Sequence, residues 1–358
     1  MSDVTSAAGQ ALAVAPHFEA SAAPLRVEPL GRGHIHVTFH AIYADSDRDL
    51  VLQQLNEHVF PDLEAVMGNI AAVTGHLRRR GGGVRGTLEL VAATGGELLV
   101  RDSMGAAWRA FRFVAGTRSY DAVPNDDVAR AAAHAFGSFA AALADLDPGG
   151  LAVPIPHFHD LSARLGQLRE AAGTNSVGRL EEVTAECDAI LGLGDTIGGA
   201  LARGGASRLP RRVVHNDCKV NNLLFDEATG EPLCVVDLDT VMPGPVLVDF
   251  GELVRTAACD AAEGELDLSR VVYSPSRFEA LADGYLAGVG PVLTPSERTL
   301  LWAGPPWMAL ENAARFLADH LGGDRYFRAG DNRARARAQL RLAEQLWEAR
   351  DALRSALR

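Results

Sequence analysis

The chain has 358 residues, 47% of them hydrophobic and 22% charged, an ordinary balance for a globular protein and enough length for two cores. Its formal net charge of −12 excludes the basic face that nucleic acid or an anionic membrane needs, and leaves room for a cationic ligand. Cys187, Cys218, Cys234 and Cys259 show no CxxC spacing and read as reduced thiols of a cytoplasmic protein.

Residues 1–25 are rich in Ala, Ser and Pro, lack a basic leader, and have Gln10 and Pro16 inside their apolar stretch; a disordered tail is expected, not a signal peptide. No run is long enough to span a bilayer. A short strand over Arg26–Leu30, a loop Gly31-Arg32-Gly33-His34 and an alternating run Ile35–Ala44 follow. The loop lacks the third glycine and the following helix of a dinucleotide fingerprint. It is either a plain hairpin turn or a place where absent side chains let backbone amides approach a ligand. His34/His36 and His157/His159 form H-x-H pairs, without the further ligands that a tetrahedral zinc site requires. The next strand is Asp49–Leu55, and a helix carrying Glu64 begins near Pro61. Arg78–Arg85 is a solvated charge run. Thr87–Ala92 and Glu97–Arg101 read as hairpin strands, and Trp108–Val114 as a further strand.

From Asp126 the period becomes helical, with Val128, Phe136, Phe139, Leu143 and Leu146 near one face. Leu161–Arg203 holds two or more helices. The chain is again helical after Phe278, and Thr294-Pro-Ser-Glu297 is a helix start. Trp302, Trp307 and Phe316 read as core aromatics, and Arg337–Leu357 as an amphipathic closing helix.

Between the helical stretches lies His215 to Phe250, HNDCKVNNLLFDEATGEPLCVVDLDTVMPGPVLVDF, with the only lysine of the chain, Lys219, against 33 arginines. Lysine is a compact point charge on a flexible stem, suited to following one phosphate, whereas arginine is a planar fork. The pattern H-x-D-x-K-x-x-N matches the division of labour in phosphoryl transfer: a carboxylate (Asp217) to orient the attacking hydroxyl and accept its proton, a cation (Lys219) on the moving group, and an oxygen ligand (Asn222) for magnesium. The apolar run Leu233–Val236 reads as a buried strand delivering Asp237 as the main metal ligand, with Asp239 a second carboxylate nearby. Asp249 reads as a brace for the motif or a helix cap. The single lysine has no GK[ST] context, which excludes a P-loop kinase, and neither G-x-S-x-G nor H-E-x-x-H occurs.

HNDCKVNN followed by VVDLD resembles the catalytic loop and metal-binding aspartate of kinase-fold small-molecule phosphotransferases, the aminoglycoside phosphotransferase-like superfamily. VVDLDTVMPGPVLVDFGELVRTAA and LENAARFLADHLGGDRYFR are similar to the N-acetylhexosamine 1-kinase group, and the likeness runs from about residue 28 to about 348. The resemblance implies a bilobal protein-kinase-like α+β fold. A small antiparallel-sheet lobe with one helix would span 26–115 and a larger, mainly helical lobe 116–358, with ATP between them. It implies ATP and Mg²⁺ as cofactors and a small-molecule hydroxyl as acceptor, most specifically the anomeric hydroxyl of an N-acetylhexosamine or related hexose. Gly31 and Gly33 would lie over the nucleotide phosphates. Arg109, Phe111 and Phe113 would lie on the segment that meets adenine through its backbone. His34, in GRGHIH, would face the sugar with Arg315, Tyr326 and Asp217; His36 departs from the family's Asn. The strand Lys that holds α- and β-phosphates in protein kinases is absent, so the glycine-loop amides, Gln54 or an Arg would substitute. An aminoglycoside acceptor and a non-catalytic, pseudokinase-like ligand module are the alternatives. Oligomeric state is left open.

Overall fold

In the computed structural model the described residues are 2–31, 35–81, 86–327 and 330–358. Gly33, His34 and the 82–85 part of the Arg78–Arg85 charge run lie outside them. In chain order the elements are α1 (Ser2–Phe18), β1 (Arg26–Pro29), β2 (Val37–Ile42), β3 (Leu50–Gln54), α2 (Leu63–Arg79), β4 (Leu90–Val91), β5 (Val100–Arg101), β6 (Ala107–Arg112) and β7 (Thr117–Arg118). Then come α3 (Asp126–Ala142), α4 (Leu161–Thr174), α5 (Thr184–Gly204), β8 (Arg212–Val214), β9 (Leu223–Asp226), β10 (Pro232–Val235) and β11 (Met242–Gly244). Helices α6 (Leu247–Ala257), α7 (Pro275–Val289), α8 (Pro295–Leu300), α9 (Gly304–Leu321), α10 (Asn332–Glu348) and α11 (Arg350–Ala356) complete the chain.

The chain divides into two compact units. One comprises Met1–Arg118, Gly149–Ile155 and Phe225–Val241; the other Ser119–Pro148, Pro156–Leu224 and Met242–Arg358. The first therefore runs past residue 115 and takes back two later segments. Asn69, buried on α2, is one reason. Its amide nitrogen donates to the carbonyls of Ala152 (3.0 Å) and Val241 (2.9 Å), and its oxygen accepts the Ala152 N–H (2.9 Å).

The first unit is built on an antiparallel sheet ordered β1-β2-β3-β6-β4, with β5 also paired to β6. The 87–92 and 97–101 stretches do not form a hairpin ladder with each other. They shrink to the two-residue β4 and β5, each laid on β6, where Leu90 faces Phe111 and Val100 faces Trp108.

The disordered tail expected over 1–25 is corrected: Ser2–Phe18 is a helix. Ala7, Ala11, Val14, Ala15 and Phe18 recur at helical spacing and are buried with Phe39, Leu50, Leu52 and Trp108 of the sheet. Alanine is the best helix former, and a stripe of small residues becomes a stable face only when a sheet covers it. Composition alone does not reveal that partner.

The second unit is helical. Its α6 and α9 cross where Gly251 meets Gly304; a Cβ on either would collide with the other helix's backbone. The start of α8 is the expected capping box, with the Glu297 carboxylate accepting the Thr294 N–H (2.8 Å) and the Thr294 hydroxyl accepting the Glu297 N–H (3.3 Å). The single closing helix expected over 337–357 is two, α10 and α11, broken at Ala349. Among the described residues no helix is long and apolar enough to cross a membrane.

Phe18→Ala is expected to cost about 3 kcal/mol, read as a lower denaturant midpoint at unchanged slope. A change below about 0.5 kcal/mol, the size of an ordinary surface substitution, would make α1 a passenger on the sheet.

Candidate active site

Strand β8 pairs antiparallel with β11, Val214 facing Met242, and the H-x-D-x-K-x-x-N motif leaves β8 as an irregular loop. Irregular buried backbone must find partners for its N–H groups. Here Asp249, in the first turn of α6, supplies them. One carboxylate oxygen accepts the His215 N–H (3.0 Å) and the other the Asn216 N–H (2.7 Å). Asn216 can then adopt φ +66°, a left-handed conformation that Asn tolerates better than most residues. Asp249 is thus the brace anticipated from sequence, and burial pushes its carboxyl up.

His215 is fully buried, flanked edge-on by Phe136 (5.7 Å) and Phe139 (5.9 Å). Its Nδ1 accepts the Asp217 N–H (3.3 Å), which places the proton of a neutral ring on Nε2. Cys218 is buried, and burial first, with the Asp249 and Asp217 charges, lifts its thiol well above the ordinary range. It has no thiolate character for nucleophilic chemistry.

The three motif residues meet in space. Lys219 Nζ lies 2.6 Å from Asp217 Oδ1, and Asn222 Nδ2 donates to the Asp217 carbonyl and to Oδ2, both at 2.9 Å. The Asp217 side chain keeps 24% exposure and Lys219 35%, so the carboxylate is positioned but reachable. Burial works to raise the Asp217 carboxyl; the Lys219 charge and these hydrogen bonds outweigh it, and the net shift is downward. Burial likewise disfavours the Lys219 ammonium, and Asp217 outweighs that, so it is raised.

Asp237 and Asp239 part company. Asp237 follows β10 with φ +60° and is exposed, a left-handed turn that ends the strand and puts this carboxylate outside. Asp239 is buried and taken up on both oxygens. The Arg109 guanidinium grips it from Nη1 and, at 2.8 Å, from Nη2; His36 Nε2 donates to Oδ2 at 2.8 Å. His36 Nδ1 accepts the Asn56 N–H (3.0 Å), so the ring has one acceptor and one donor side. Burial raises the Asp239 carboxyl, but Arg109 and His36 outweigh it and hold it well below the usual range. The metal-ligand expectation for Asp239 is therefore corrected: it is a structural anion.

Arg109 and Phe111 are corrected with it. Both lie inside β6, which pairs with β3 on one edge and β4 and β5 on the other, so the strand has no backbone edge to offer a base. The Arg109 side chain is 2% exposed and also reaches Gln53. The Phe113 N–H donates to the Asp49 carbonyl (2.9 Å), and its ring stacks on His40 at 3.8 Å. The Gln54 amide donates to Gln10 of α1 (3.4 Å). Gly31 has φ +71° and open space around its Cα. Glu64 is exposed in the first turn of α2.

On α9, Glu311 is fully buried, 3.0 Å from His159 Nδ1, and accepts the Trp307 N–H (3.2 Å). One turn on, the Arg315 guanidinium sits over the rings of Phe158 (5.6 Å) and Phe327 (5.2 Å). Tyr326 is 61% exposed, in a loop organised by Asp319, which accepts the N–H groups of Arg325, Tyr326 and Phe327. Among the described residues no group of three or more His, Cys, Asp or Glu could hold a metal. A cavity of about 600 Å³ opens elsewhere on the helical unit, lined by Arg203, Arg298, Trp302 and Arg354, and contains none of the motif residues.

The phosphotransferase enzyme family matches residues 26–292, well over half of the chain. The chain belongs to this family. Solved structures agree on the protein-kinase-like α+β fold. A microcompartment-associated aminopropanol kinase superposes with a TM-score of 0.58 at 15% identity, covering 95% of this chain and 97% of that one. A choline/ethanolamine kinase family protein from Mesorhizobium loti gives 0.59 at 20%, covering 98% of each. The GDP complex of aminoglycoside 2'-phosphotransferase-IIIa gives 0.60 at 14%, covering 96% and 99%.

Two predictions follow from the ion pairs. Arg109→Met leaves the buried Asp239 carboxylate with His36 as its one remaining partner of the two named and is expected to cost roughly 3–5 kcal/mol in chemical denaturation, with Arg109→Lys recovering only part. Lys219→Met removes the cation that depresses Asp217. The acid limb of kcat/KM in the residual turnover is expected to move to higher pH, because losing a positive neighbour disfavours the carboxylate. An unmoved limb would show that another group sets it.

Proposed function

We propose that this protein transfers the γ-phosphoryl group of ATP to a hydroxyl of a small molecule, most specifically the anomeric hydroxyl of an N-acetylhexosamine or related hexose. The observation that carries the kinase reading is the Asp217 carboxylate, kept ionised against its burial, oriented by Lys219 and Asn222, and still partly exposed. In the reaction the acceptor oxygen bonds to phosphorus and the bridging oxygen leaves with ADP. Asp217 orients the acceptor and takes its proton late, which suits a carboxylate of low basicity in a loose transition state. Lys219 neutralises the group in flight. The donor types fit Mg²⁺: Asn222, whose nitrogen is committed to Asp217, carries an amide oxygen, and Asp237 carries an exposed carboxylate, both hard oxygen donors. Asn222 and Asp237 would hold the ion, which supplies positive charge against the nucleotide phosphates. With Gln54 engaged by Gln10, the α- and β-phosphates fall to backbone amides of the glycine loop, Gly31 and Gly33. Adenine falls to backbone beyond Phe113.

The sugar reading rests on the resemblance of His34, Arg315 and Tyr326 to hexosamine 1-kinase positions. It is supported by the charge of the α9 wall. Burial first, then the positive charge of neighbouring Arg315, hold Arg164 below the ordinary guanidinium value. Two cations there, beside a Glu311 already committed to His159 and Trp307, suit a neutral or anionic acceptor better than a cationic one. The rival is an amino-alcohol or aminoglycoside acceptor. The net charge of −12 favours it, and the structural neighbours bear such names.

The test is nucleotide consumption with Mg²⁺ across free sugars, N-acetylhexosamines, amino alcohols and aminoglycosides, with phosphorus NMR of the product. An anomeric phosphate is expected; a phosphate on another hydroxyl would discard the roles of Arg315 and Tyr326 and keep those of Asp217 and Lys219. ATP binding without turnover on any acceptor would favour a non-catalytic module. Asp217→Asn is expected to bind ATP but lose several orders of magnitude in turnover; turnover near wild type would remove Asp217 from its role.

A further inference from the structure

One buried polar cluster has no part in the roles above. His159 lies between the catalytic loop and α9. Its Nε2 donates to the Asn216 carbonyl (2.9 Å), the residue before Asp217, and its Nδ1 lies 3.0 Å from Glu311 Oε1. The His159 side chain is 6% exposed and Glu311 is fully buried. The preceding residue, Phe158, places its ring under the Arg315 guanidinium at 5.6 Å, and the Phe158 and His159 rings are 4.1 Å apart. The segment is fixed from behind as well. His157 takes φ +56°, Asp160 caps α4 through the Ala163 N–H (3.0 Å), and Arg164 donates to the Phe158 carbonyl (2.9 Å).

We infer that Phe158-His159 is a strut that sets the Asp217 loop at a fixed distance from the Arg315 wall, with His159 as a positioning residue for the transfer step and Phe158 for acceptor binding. This rests on the reading of Asp217 as the group that orients the acceptor. Asn216 is held at both ends of its peptide unit chemistry: its N–H by Asp249, its carbonyl by His159. Asp249 fixes the loop to α6, and His159 fixes the same residue to α9. A rigid left-handed Asn216 then leaves the Asp217 side chain one direction to take. With acceptors on both sides, the ring bridges them fully only when each nitrogen carries a proton. A neutral ring keeps the Asn216 bond if position 311 donates instead, which a glutamine can do.

The test uses the full chain and the acceptor found above, comparing His159→Ala, Glu311→Gln, Glu311→Ala, Phe158→Ala and Asp217→Asn. His159→Ala is expected to lose on the order of 10–100-fold in kcat, with the KM for ATP little changed, because the loop shifts while the nucleotide contacts stay. Glu311→Gln is expected to stay close to wild type and Glu311→Ala to follow His159→Ala. Phe158→Ala is expected to raise the acceptor KM more than it lowers kcat. Should His159→Ala not fold, the contrast between Glu311→Gln and Glu311→Ala carries the same information. A merely structural cluster would lower Tm without this split, and wild-type kcat in folded His159→Ala, or in Glu311→Ala, overturns the strut. Wild-type turnover in Asp217→Asn overturns instead the site reading beneath it.

Discussion

One carboxylate holds the helical unit's chemistry in place. Asp249 sits in the first turn of α6, a helix buried along nearly its whole length, and spends both oxygens on two consecutive backbone N–H groups. An irregular loop in a protein interior is costly unless each polar group finds a partner, and here one side chain serves two. Everything after it depends on that anchorage. With His215 and Asn216 pinned, Asp217 emerges in a set direction, and Lys219 and Asn222 close on it from the same short stretch of chain. The Gly251–Gly304 crossing brings α6 and α9 close enough for both to bear on the loop.

The choice of cations follows from geometry. Buried carboxylates elsewhere are met by arginine forks: Arg109 on Asp239, Arg212 on Glu297 and Arg255 on Glu252, each through two nitrogens. A planar guanidinium satisfies two carboxylate oxygens at once and stays charged when buried. The sole lysine, Lys219, instead meets its carboxylate, Asp217, through a single nitrogen at 2.6 Å.

Motif spacing alone was enough for the parts of the site whose partners lie within a few residues. Asp217, Lys219 and Asn222 lie within one short stretch, and the helical turn at Val220–Asn222 brings the Asn222 amide back onto Asp217. The Thr294–Glu297 capping box was readable for the same reason. Asp237 and Asp239 were not separable this way. Two residues apart, both read as carboxylates for one metal, and the left-handed turn at Asp237 together with Arg109 of β6 and His36 before β2 makes one exposed and the other a buried anion.

The sequence by itself thus determined the family and the kinase-like α+β architecture, since local spacing and residue chemistry carry those. Only the tertiary structure decided that an Ala-rich leader is a helix on the sheet, that Arg109 and Phe111 are enclosed within β6, and that His159 bridges Glu311 and Asn216. Each of these depends at least in part on partners far along the chain, Glu311 lying 152 residues from His159, and burial by a distant partner leaves no mark in the local sequence.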